Sequence, residues 1–89
     1  FREVSDALAG RRYLAEQLAT LKRGVEANER IAELARLRYR EGVTDFLEVL
    51  DAERNLFAAR QALLTTRRAQ LQNLVTLYIA LGGSTQTDE

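Results

Sequence analysis

The sequence predicts an all-α protein: a long antiparallel helical hairpin (coiled coil), with helices at about 3–40 and 45–81 joined by a short turn at 41–44. Three observations predict it. The 89 residues contain no proline, and alanine, leucine, arginine, glutamate and glutamine, all good helix formers, dominate the chain. Turn-forming residues concentrate at one internal place, Glu41-Gly42-Val43-Thr44-Asp45. Apolar residues recur with a sustained period of seven, the spacing of helices that supercoil around partners.

The first helix carries a seam of Leu14, Leu18, Leu21 and Val25 that weakens to Asn28, Ala32, Ala35 and Tyr39 near the turn. Ile31, Leu34 and Leu37 lie off that seam. Gly10 and Gly24 fall inside this helix, where glycine costs ~1 kcal/mol relative to alanine. Either the helix tolerates them or they admit a close neighbour.

The turn has its own chemistry. Gly42 suits the left-handed position just past a helix end, because it lacks the Cβ that makes that conformation costly. Asp45-Phe46-Leu47-Glu48 then has the form of a capping box, with Asp45 accepting from the new first turn and Glu48 reaching back. Thr44 is a nearly equal candidate for the cap. A connection this short makes the two helices antiparallel.

The second helix shows one column of Leu50, Phe57, Leu64, Leu71 and Tyr78, and another of Val49, Leu56, Leu63, Gln70 and Leu77. Between them runs Phe46, Glu53, Arg60, Arg67, Leu74 and Leu81, charged over three consecutive turns. A lone hairpin would fill that middle column with apolar residues. Charge there predicts two seams, each meeting a different neighbour, with a solvated strip between. The opposite face is small and mildly polar: Glu48, Asn55, Ala62, Ala69 and Thr76, then Asp51, Ala58, Thr65 and Gln72, then Ala52, Ala59, Thr66 and Asn73. A ring of helices suits this distribution, and so does a plain antiparallel bundle. The helix is expected to stop at Gly82-Gly83, leaving 84–89 as a disordered polar tail.

Composition narrows the function. Absent histidine and cysteine remove the commonest general base, thiolate chemistry and most metal ligands, so no catalytic or metal-binding residue and no cofactor is expected. Thirteen basic residues, all but Lys22 arginine, balance thirteen acidic ones and are interleaved with them, which argues against nucleic acid as a partner. No apolar run approaches the roughly 18–20 residues of a membrane helix. The chain opens at Phe1 without a methionine, and it is expected to be a piece of something longer.

The stretch Arg38-Tyr39-Arg40-Glu41-Gly42-Val43-Thr44-Asp45-Phe46-Leu47-Glu48-Val49-Leu50-Asp51-Ala52-Glu53-Arg54 resembles the R-Y-x-x-G-x-x-x-[FYL]-L-x-V-L-D-A-[QE]-R signature of the TolC/OprM outer membrane factor family. Those proteins are the outer-membrane channels of tripartite efflux pumps and type I secretion systems. Phe1-Arg2-Glu3-Val4-Ser5-Asp6-Ala7-Leu8-Ala9 is similar to the family's F-x-E-V-x-D-A-L-A, and Leu77-Tyr78-Ile79-Ala80-Leu81-Gly82-Gly83 to its L-Y-x-A-L-G-G ending. The likeness covers nearly the whole chain and is closest to the OprM-type branch.

The resemblance implies a trimeric channel of a Gram-negative bacterium, with a β-barrel in the outer membrane and an α-helical barrel in the periplasm. This chain would be the second repeat's hairpin at the periplasmic end, without spanning the membrane itself. Its tip, Glu41, Gly42, Val43, Thr44 and Phe46, would dock with the hairpins of a periplasmic adaptor (membrane fusion) protein, and through it with an inner-membrane transporter. Tyr39, Glu48 and Asp51 match positions at the family's gate or lumen. The family archetype has arginine where this chain has Thr44, so a tyrosine–arginine tie through that position is unavailable. The competing reading is an interaction or oligomerisation hairpin with no channel role, or an adaptor-type hairpin, although the Arg-Leu-Ser-type tip of adaptors is missing. Cut from a ring, such a hairpin is expected to pair into larger helical bundles.

Overall fold

A computed structural model describes the backbone of residues 2–87 and the side chains of 2–82. Two helices, α1 (Arg2–Arg40) and α2 (Phe46–Thr87), pack antiparallel into a rod of 71 × 16 × 13 Å. Among the described residues there is no strand, and no helix is long and apolar enough to cross a membrane.

The turn closes as the sequence predicts, and each of its bonds has a local cause. Gly42, at φ 76°, is the one described residue with positive φ. Its N–H donates to the Tyr39 carbonyl at 3.0 Å, and the Val43 N–H donates to the Arg38 carbonyl at 2.9 Å. These are the two bonds of a Schellman motif, which satisfies carbonyls that the end of α1 would otherwise leave open. Asp45 caps α2, its Oδ1 accepting from the Leu47 N–H at 3.1 Å. Among the described residues, no bond from Glu48 back to the Asp45 N–H completes the expected capping box. Glu48 turns instead toward the Thr44 hydroxyl and Arg38, which offer it a donor and a positive charge.

The seam is narrow because it is built from alanine. Ala32, Ala35, Val49, Ala52 and Leu56 form the buried cluster near the tip, with Val25 packed against it. Further along, Leu18 and Ala7 are buried on α1. Short side chains let neighbouring backbones approach closely.

Three expectations change here. The column Ala52, Ala59, Thr66, Asn73 was expected on the small polar face; its members are buried or half-buried and share the seam with the Val49 column. Its small residues match Ala32 and Ala35 across the interface better than a bulky column could. The charged middle column is not a free solvated strip: Glu53 pairs with Arg36, and Arg60 donates to Glu29 at 3.2 Å, both across the hairpin. Finally, α2 continues through Gly82-Gly83 to Thr87. Glycine lowers helix propensity but stops a helix only where a left-handed turn or a cap ends it, and Gly82 has no positive φ. The expected tail over 84–89 falls partly on Asp88 and Glu89, which lie outside the described residues.

Candidate interaction site at the hairpin tip

The tip gathers most of the residues singled out from sequence. The Tyr39 and Phe46 rings meet across the turn, centroids 5.2 Å apart and tilted by 59°. Such a tilted pair is a favourable aromatic geometry, and here it joins the last turn of α1 to the first of α2. Both rings remain about half exposed, at 46% and 50%. Val43 is exposed at 65% beside them, and Glu41 and Gly42 are exposed as well. Thr44 is half-buried, because its hydroxyl is turned inward to donate to Glu48.

Glu48 and Asp51, placed together by the i,i+3 spacing, meet different surroundings. Glu48 is held by Thr44 and by Arg38, whose Nε lies 3.4 Å from the other carboxylate oxygen. Asp51 is exposed and has no ion pair among the described residues. One acid therefore ties the two helices at the tip, and the other is left available.

Two tip residues escape the sequence reading. Arg38 sits inside the recognised motif but gives no local sign that it will meet Glu48, since the contact depends on the hairpin's register. Leu47, 66% exposed, looks like an ordinary first-turn leucine until the seam is known. Its position two residues before Val49, and so off both seam columns, is the signal that could have found it.

Beyond the tip the hairpin leaves two apolar edges uncovered. On α2, Leu50, Phe57, Leu64, Leu71 and Tyr78 are between 44% and 77% exposed. Leu50 and Phe57 stand at i−3 and i+4 from Glu53, on the side of the Arg36–Glu53 and Glu29–Arg60 pairs. On α1, Ile31 and Leu34 are 55% and 56% exposed. They stand at i−7 and i−4 from Arg38, on the opposite side of the hairpin, where the Arg38–Glu48 pair lies. Two different apolar edges pointing in opposite directions cannot both be covered by one copy across a twofold axis; they fit heterologous, side-by-side packing.

Comparison with known proteins places the sequence among efflux proteins of the outer membrane. The family model described as outer membrane efflux protein matches residues 1–83. The chain is 51% identical over 83 residues to the probable efflux pump outer membrane protein TtgC of Pseudomonas putida KT2440, covering 93% of this chain and 17% of that protein. It is equally similar, at 51%, to the antibiotic efflux pump outer membrane protein ArpC of Pseudomonas putida. With the cation efflux system protein CusC of Escherichia coli K12 it shares 46% identity over 83 residues, 93% of this chain and 18% of that one. The chain thus spans less than a fifth of the length of these curated relatives.

Proposed function

The chain belongs to the outer membrane efflux protein family, and on that premise we propose that it is the periplasmic tip hairpin of an outer-membrane export channel. The observation that carries this reading is the exposed apolar tip. Tyr39, Val43, Phe46 and Leu47 are presented to solvent by a turn that a Schellman motif and an aspartate cap hold in one conformation. A preorganised apolar knob loses little entropy on docking. Its partner is the hairpin tip of a periplasmic adaptor protein, which connects the channel to an inner-membrane transporter. The two uncovered edges of the hairpin are then the seams to its neighbours in a trimeric α-barrel. The channel runs no reaction: conduction is passive, and energy and direction come from the pump.

The gate follows from the same placement. In a threefold ring Asp51, which has no ion pair among the described residues, supplies a ring of carboxylates that attracts cations. Glu48 acts through its tie to Arg38 and Thr44, and Tyr39 through its contact with Phe46. Closure thus uses Arg38 where Thr44 removes the archetype's arginine.

Surface plasmon resonance of the immobilised chain against a cognate adaptor hairpin tests docking. Leu47→Glu and Val43→Glu should each weaken binding about tenfold or more, since each buries a charge in an apolar contact. Binding unaffected by both substitutions would place the contact elsewhere. For the gate, Asp51→Ala in the full-length channel should lessen block by divalent cations in planar bilayers. An unchanged response would put Asp51 outside the constriction.

A further inference from the structure

Asn73 stands in the seam of α2, in the column otherwise made of Ala52, Ala59, Thr66 and Ala80. Its Nδ2 donates to the backbone carbonyl of Ala7 on α1 at 3.2 Å. That carbonyl belongs to a helix interior, and its second lone pair is what the side chain takes. The Oδ1 of Asn73 is buried without a hydrogen-bond partner among the described residues. Gly10 lies directly against the amide: a Cβ there would come within 3.0 Å of Nδ2 and 3.9 Å of Cγ.

An asparagine that buries an unmatched acceptor is a poor device for stability, and an apolar residue of similar volume would serve that purpose better. It does provide discrimination. The amide finds an acceptor only where the backbone of α1 is uncovered, and the missing side chain of Gly10 uncovers it. One heptad away in either direction Asn73 would face Glu3 or Gln17, whose side chains occupy that space. Ala32, Ala35 and Ala52 are interchangeable in shape and discriminate weakly, which leaves Leu18, Val49 and Leu56 as the shaped residues of the rest of the seam. Gly24 is no second socket, as nothing lies within 4 Å of the place its Cβ would take.

The capped turn fixes register at the tip. Asn73 lies roughly 40 Å along α2 from that cap, at ~1.5 Å per residue. We propose that Asn73 and Gly10 form a register pin at the far end of the hairpin, so that the two helices, held at both ends, cannot shear and move as one rigid lever. The pin is a property of the hairpin alone and stands whether or not the tip docks an adaptor.

Spin-label distance measurements on this chain test it, diluted with unlabelled chain so that only intramolecular distances are read. One label pair, at Asp6→Cys and Val75→Cys, reports the pinned end; another, at Glu33→Cys and Arg54→Cys, reports the tip end. The native residues at 10 and 73 should give one narrow distance for each pair. Asn73→Leu should keep or raise the thermal midpoint, yet broaden or split the distance at the pinned end while leaving the tip pair narrow. Gly10→Ala should broaden the same distance without touching position 73. A single native distance in Asn73→Leu would overturn the pin, and so would loss of helicity in that variant.

Discussion

Gly42 shows how much a single residue decides here. Its φ of 76° is a conformation in which a Cβ meets the carbonyl oxygen, so Gly42→Ala should cost about 1–2 kcal/mol. For a domain of this size that lowers the thermal midpoint by roughly 4–8 °C per kcal/mol, read by circular dichroism. An unchanged midpoint would mean that the turn adopts another geometry. Gly42 and Asp45 were legible in the sequence because turn and cap chemistry is local: the glycine, the carboxylate and their spacing already contain the interaction. Glu48 was legible only in part. Its position in a capping box was plain, but Thr44 and Arg38 compete for its oxygens, and Arg38 arrives from the other helix. Asp51 is the counterexample at this scale, because no ion pair engages it among the described residues.

Between the helices, seam and ladder are set by register, and register is what a single helix's pattern does not contain. Two columns of α2 could equally have joined the Val49 column in the seam: the bulky Leu50 column or the small Ala52 column. The structure takes the small one, which sets Ala52 beside Val49 and Leu56 against Ala32 and Ala35. Along one flank the ion pairs then follow a rule, with α1 descending by seven residues as α2 ascends by seven. Arg36 meets Glu53 and Glu29 meets Arg60. The next rung sets Lys22 against Arg67, both exposed and neither in an ion pair among the described residues. Arg67→Glu should therefore complete the alternation. The expected gain is that of an exposed pair, roughly 0.2–1 kcal/mol, or about 1–8 °C in thermal midpoint, fading at high salt. A fall in midpoint at low salt, or the same gain in a Lys22→Ala background, would show that the ladder does not extend to this rung. Glycine at 82 and 83 gave a misleading sign of a helix end for a related reason: propensity is a weak local bias, and a helix continues until a cap or a turn stops it.

At the scale of the whole molecule, a rod 71 Å long whose buried cluster is mostly alanine leaves many large apolar side chains exposed among the described residues. The Leu50 edge of α2 and the Ile31–Leu34 edge of α1 face opposite ways, so a neighbour is wanted on each side. The sequence already showed that a second seam existed, from the two apolar columns of α2, although not which column faced outward. It also carried the family, in the Arg38-to-Arg54 stretch and in both ends of the match. The central claim is that the tip of this hairpin meets the adaptor, and disulfide trapping in intact cells tests it most directly. With a cysteine at Val43→Cys in the full-length channel and another at the adaptor's hairpin tip, oxidation should yield a channel–adaptor species. A cysteine at Arg12→Cys, far from the turn, should yield none. Trapping at position 12 and none at position 43, in cells that still export, would contradict the account.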